Sequence, residues 1–157
     1  MTVYDNNNGG EYGKYFVQHS PGPGMDPDFK KIYDKFAHRI LWMDGSVVPG
    51  AFQMNTAWYC HVPERDPIFT EHKHDDTNEL IGFFSSDESN PYDLGGKIEF
   101  WIEGEPHLLT KTTMIYVPAG LTHNPMRILE VNRPIFHFSI VMNETYDGED
   151  VYKCVHI

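Results

Sequence analysis

The chain has 157 residues, 40% hydrophobic and 14% aromatic, and carries a formal net charge of −11 at pH 7. That length supports one self-sufficient core burying roughly two-thirds of the unfolded surface, and the acidic balance argues against nucleic-acid and anionic-membrane partners, whose phosphates it would repel. No apolar stretch approaches the ~20 residues of a membrane-spanning helix, and the polar N-terminus lacks the basic and apolar regions of an export signal, so a cytoplasmic protein is expected, with Cys60 and Cys154 as free thiols.

Residues 1–24 are polar and rich in Gly, Asn and Pro, and predict an irregular arm; Ser20-Pro-Gly-Pro-Gly24 admits neither helix nor strand. Residues 25–157 are read as a single domain. The span from Asp26 to Phe36 predicts a short helix, with Asp26 as N-cap and Pro27 at the first helical position. Phe29, Ile32, Tyr33 and Phe36 recur at helical spacing and read as a core-facing stripe. Beyond residue 38 the pattern is strand and turn. Arg39–Met43 precedes the turn signal Asp44-Gly45, and Phe52–His61 alternates loosely. Leu80–Phe84 is apolar on both faces, and an enlarged hairpin loop is expected around Ser85 to Gly96. Lys97–Glu103 is the clearest strand: Ile98, Phe100 and Ile102 face one way and Glu99, Trp101 and Glu103 the other. Gly104-Glu105 turns the chain into His107–Thr110, Met114–Val117 follows, and Pro134–Met142 is the last long strand. Short strands separated by turn signals predict an all-β barrel or jelly roll.

Two stretches carry the chemistry. The first reads His72-Lys-His74-Asp-Asp-Thr-Asn-Glu79. Alternate residues of an extended segment share a face, so His72 and His74 point together. Asp75 to Asn78 are turn formers, and the chain is expected to reverse there so that Glu79 opens the next strand toward the same interior. The second reads Pro118-Ala-Gly120-Leu-Thr-His123, a tight turn that presents a histidine at the start of a new strand. Two imidazoles and a carboxylate, with a third imidazole from the second stretch, suit a borderline or harder divalent ion.

His-x-His, four residues and Glu, then Pro-x-Gly-x-x-His, resembles the paired motifs of the cupin superfamily. The resemblance implies a cupin-type antiparallel β-barrel, or double-stranded β-helix (jelly roll), with the short helix before it. It implies one divalent metal ion held by His72, His74, Glu79 and His123, with Fe(II) the first choice and Mn, Ni or Zn as alternatives. Two positions depart from the family pattern: Ser86 stands where a glycine is common, and Arg127 where an asparagine is common. Neither is a ligand position, so the departures bear on subfamily. The implied function is a metal-dependent dioxygenase acting on a small aromatic or enolisable substrate. A metal-dependent isomerase, epimerase or lyase, and a non-catalytic small-molecule binder, are the alternatives. A homodimer is implied by the family.

For the pocket, Trp58, Phe83, Trp101, Phe136 and Phe138 are candidate walls. His137, with Ser139 on the same strand face, is a weak candidate for a proton relay or substrate clamp; a buried core histidine is the plainer reading. His61 is weaker still. Arg127, four residues past His123, is expected on the same strand face, close enough to hold a substrate carboxylate.

Overall fold

A computed structural model describes residues 10–144; Cys154 and the rest of the C-terminal segment lie outside them. After a short 3₁₀ turn at Gly13–Tyr15, the chain forms α1 (Pro27–Phe36) and eight strands: β1 (Ala37–Met43), β2 (Gln53–Tyr59), β3 (Glu79–Phe84), β4 (Asp93–Ile102), β5 (Glu105–Lys111), β6 (Thr113–Val117), β7 (His123–Val131) and β8 (Ile135–Val141). All pairings are antiparallel, in a five-stranded sheet ordered β1-β2-β8-β3-β6 and a three-stranded sheet ordered β5-β4-β7. The two sheets enclose a core to which β3 contributes Ile81 and Phe83, β4 contributes Leu94, Ile98 and Phe100, and β7 contributes Met126 and Ile128. Their side chains come from alternate positions, as a half-buried pleated strand requires.

The helix forms where its capping chemistry stands. Asp26 accepts from the amides of Asp28 (3.0 Å) and Phe29 (3.1 Å), and Pro27 occupies the first helical position. Phe29, Tyr33 and Phe36 are buried on one face against Phe69 and Tyr59, so the apolar stripe is core. None of the described helices is long and apolar enough to cross a membrane.

Three local expectations are corrected. The segment carrying His72 and His74 is not a regular strand; it makes a single antiparallel bridge, His72 to His123. The β3–β4 connection is shorter than expected, because β4 already begins at Asp93. The β4–β5 reversal is made by Glu103 and Gly104, both at positive φ (48° and 77°), one residue earlier than the composition indicated.

Candidate metal centre

The two motifs fold onto each other through their backbones. The His72 amide donates to the His123 carbonyl (3.0 Å) and the His123 amide to the His72 carbonyl (2.9 Å). The Gly120 amide donates to the His74 carbonyl (2.7 Å), and the Ala119 amide to Asn78 Oδ1 (2.9 Å). Within the second motif the Leu121 amide closes a turn onto the Pro118 carbonyl (3.2 Å). Gly120, third in that turn, has φ +85°, where a side chain would be strained. Glu79 opens β3 and lies opposite Val117, the residue just before the turn. The short-range geometry of both motifs therefore delivers His72, His74, Glu79 and His123 to one place.

Their ligand atoms all lie within 4.8 Å of one another. Donors bound at about 2.1 Å stand about 3 Å apart when adjacent and about 4.2 Å apart when opposite, so the cluster is close to the size that an octahedral or tetrahedral ion needs. The ring centroids of His72 and His123 are 4.3 Å apart, and those of His72 and His74 5.1 Å. His74, Glu79 and His123 are buried, at 5%, 4% and 1% exposure, so the site sits inside the barrel rather than on its surface.

The protonation pattern fits a cation. Nδ1 of His72 lies 3.1 Å from the Thr70 carbonyl, and Nδ1 of His123 lies 3.2 Å from that of Leu121. A carbonyl oxygen only accepts, so both Nδ1 atoms carry the proton and both Nε2 atoms carry a lone pair. Nε2 of His123 approaches Glu79 Oε2 at 2.7 Å. That approach lacks hydrogen-bond geometry, and no described residue gives either atom a hydrogen-bond partner. Two acceptors turned toward each other in a buried site call for a positive charge between them, which a divalent ion provides.

The site's electrostatics agree. Burial pushes the Glu79 carboxyl up, but positive charge placed on its His123 and His74 side outweighs burial and holds the group down at about 2, so the carboxylate is stable there beside a cation, a proton on an imidazole or a metal ion in its place. Burial, together with the neighbouring His123, lowers His72 to about 4, so it is a neutral ligand at ordinary pH.

The cluster opens onto a cavity of about 50 Å³, lined among others by Tyr33, Asn55, Tyr59, Phe100, His137 and Ser139. Of the aromatic walls expected from the sequence, Phe83 is core and faces His137. Trp58 and Phe136 instead pair with each other outside the core, and Trp101 bonds Glu99 through Nε1 (2.9 Å). His61 is exposed. The cavity's own aromatic wall is Tyr33, Tyr59, Phe69 and Phe100.

Arg127 does not reach the site. Between Phe100 and Ile102 of β4 the partner strand β7 advances from Met126 to His123, one residue more than the pleat allows. That bulge turns Met126 and Ile128 inward with His123 and sends Arg127 outward. Asn124 takes the extra step at φ +65°. Outside, Arg127 grips Asp66 through two nitrogens (2.8 and 2.7 Å) and Glu99 through a third (3.1 Å). The Asp66 carboxylate, hydrogen-bonded by that guanidinium, is held below the ordinary range. The signal available in the sequence was Pro125, since a proline inside a strand marks a bulge or an edge. The pair fastens the loop that leads to His72 against β7. Arg127→Ala is expected to speed amide hydrogen exchange over residues 62–71 while metal content stays unchanged; loss of metal in parallel would place Arg127 in the site after all.

Comparison with solved structures gives the fold a name. An oxalate oxidase in complex with glycolate superposes with a TM-score of 0.50 over 84% of this chain and 61% of its own, at 12% identity. The chain has the cupin fold. Two further similar structures are a predicted oxalate decarboxylase from Thermotoga maritima (TM-score 0.47, 10% identity, 68% of this chain and 78% of that one) and KdgF from Halomonas sp. (TM-score 0.43, 14% identity, 72% and 81%). No protein-family model and no curated protein matches the sequence. In this chain the four clustered residues sit at the positions of the two motifs that the sequence displays.

Sequence reasoning missed Asn55, Tyr59 and Tyr33 as cavity residues. On β2, Gln53, Asn55, Ala57 and Tyr59 are buried, and Met54, Thr56 and Trp58 are half-buried. The polar residues of this strand face inward, which inverts the ordinary polarity rule.

Proposed function

We propose that this cupin is a divalent-metal-dependent enzyme acting on a small substrate that binds through oxygen, and that its reaction is an oxygen-dependent oxidation of the dioxygenase or oxidase type. The observation that carries the reading is the cluster of three histidines and one glutamate, donor atoms within 4.8 Å, opening onto a cavity. His72, His74, Glu79 and His123 would hold a dication, which would supply Lewis acidity and about one net positive charge to attract enolate and carboxylate oxygens. The protein's part is to hold that site oriented. The carbonyls of Thr70 and Leu121 fix the tautomers of His72 and His123. Tyr59, Phe69 and Phe100 wall the cavity.

The cavity's size bears on the substrate. About 50 Å³ beside the cluster accommodates roughly four water-sized groups at 10–15 Å³ each, room enough for a small enolisable acid. The oxalate oxidase of the same fold is in complex with glycolate, an acid of that size. Fe(II) is the first ion to test, then Mn, Ni and Zn. The reading includes a homodimer, formed by pairing of exposed strand edges, and a cytoplasmic setting.

The experiment is elemental analysis of the purified protein, followed by anaerobic loading with Fe(II) or Mn(II) and oxygen-uptake assays on small hydroxy, keto and dicarboxylic acids. Oxygen consumption that disappears in His72→Ala supports the proposal. Turnover without oxygen moves the protein to the isomerase or lyase class. Metal bound with no turnover of any acid in the panel overturns the enzymatic reading in favour of a binding barrel.

A further inference from the structure

The inner face of the larger sheet carries polar residues that metal binding does not use. The register places them in rows across three strands. Gln53 of β2 lies opposite Val141 of β8, which lies opposite Glu79 of β3. In the next row Asn55 lies opposite Ser139, and Ser139 opposite Ile81. In the third Ala57 lies opposite His137, and His137 opposite Phe83. Residues paired across a sheet share a face, so Asn55, Ser139 and His137 face the same interior as Glu79. All three line the cavity beside it. Neighbouring strands are about 4.8 Å apart, which puts this group a few ångströms from the metal cluster.

The orientation of His137 is settled by its contacts. The ring is stacked between Tyr59 (centroids 4.9 Å apart, 16° between planes) and Phe83 (5.1 Å, 25°). Its Nδ1 lies 3.1 Å from the Gly82 carbonyl. That carbonyl only accepts, so Nδ1 carries the proton and Nε2 is left as a pure acceptor. Burial keeps the ring neutral, with its pKa down at about 4. Asn55, at 6% exposure, has an Oδ1 with no hydrogen-bond partner among the described residues, and Gln53, fully buried, has neither amide atom paired among them. Buried amides are rarely left in that state unless something else in the site pairs with them.

We infer that His137, Ser139 and Asn55 form a recognition wall for a hydroxyl group, so that the small acid bound at the cluster is a hydroxy acid rather than a dicarboxylate. The inference rests on the reading of the cluster as a metal centre. A group facing His137 Nε2 has to donate a hydrogen bond. A hydroxyl donates to Nε2 and can accept in return from the Asn55 amide or the Ser139 hydroxyl. A second carboxylate has no proton to give, and would set its negative charge against a lone pair in a buried site.

The test uses the full chain loaded with Mn(II), with glycolate and oxalate as probes of the two end groups. The Kd of each is measured by calorimetry for the wild type and for His137→Phe, a ring that keeps the stack between Tyr59 and Phe83. Loss of one hydrogen bond to a buried group is expected to weaken glycolate roughly tenfold, while oxalate changes by less than about twofold. Ser139→Ala, which removes one hydroxyl and little packing, carries the same comparison in the same direction if His137→Phe does not fold. Because each variant is compared with the wild type for both acids, the intrinsic chelating strength of oxalate cancels. Equal weakening of both acids, or no change in either, overturns the inference and leaves the wall a site of internal hydration only. Wild-type protein that takes up no Mn(II) sinks the metal reading and this one with it; metal uptake with unchanged discrimination sinks this one alone.

Discussion

His123→Ala is expected to abolish metal retention, lowering affinity by more than about 100-fold, because residues that merely orient a ligand are already worth 10- to 100-fold. His123 is the centre of the arrangement. It is 1% exposed, its Nε2 lies 2.7 Å from Glu79 Oε2, and its backbone pairs with His72 in both directions. Alanine keeps those backbone bonds, so the two motifs stay joined while one donor is lost. The remaining His72, His74 and Glu79 then offer three donors and a cavity where the fourth stood. The fold should persist, since the core around Phe83, Ile98 and Phe100 does not depend on the imidazole. Bound metal measured by elemental analysis after dialysis, with circular dichroism as a check on folding, tests this. Stoichiometric metal in the variant would show that the ion sits elsewhere. Metal also links to stability: an ion held at about 1,000 times its Kd contributes about 4 kcal/mol, so a chelator should lower the Tm of the wild type and leave that of His123→Ala unmoved.

Acid is expected to unfold the metal-free protein well before ordinary carboxylates titrate. His72 and His137 are both held down at about 4, principally by burial, against an ordinary value of 6.5. In the folded chain they stay neutral down to about pH 4, whereas in the unfolded chain they take up a proton near 6.5. Between those values the unfolded state binds more protons, so stability rises with pH there and is lost as pH falls. At the steepest the two groups together contribute about 2.7 kcal/mol per pH unit. Glu79, whose carboxyl is held at about 2, adds stability above about 4.5 that is lost on going lower, and so continues the same trend. Guanidinium unfolding of the metal-free chain at pH 7, 5.5 and 4.5 should show a midpoint that drops across the series. A flat midpoint would mean that the imidazoles are solvated and the barrel interior open. His137→Phe should flatten part of the slope, because it removes one of the two histidines without opening the stack between Tyr59 and Phe83. Added metal should protect the fold near pH 7 and lose its effect toward pH 4, since imidazole must shed its proton to coordinate.

The candidate ligands were legible in the sequence because their geometry is local. His72 and His74 share a face over two residues, Asp75 to Asn78 turn the chain, and Gly120 permits the positive φ that sets His123 after a bend. Each step spans a few residues and depends on dihedral preferences that any neighbourhood respects. The helix was legible for the same reason, since Asp26, Pro27 and the stripe Phe29, Tyr33, Phe36 state their cap and their buried face within ten residues. The strand pattern that marks an all-β fold was equally local. What the tertiary structure decided was which way the rest pointed. Arg127 looked inward by counting from His123, until pairing with β4 forced an extra residue at Asn124 and turned it out to Asp66 and Glu99. The loose alternation of Phe52–His61 assigned no face to Gln53 and Asn55; pairing of β2 with β8 turned them inward. A strand's period of two residues states that its faces alternate; only the partner strand, through register and bulge, states which face meets the core.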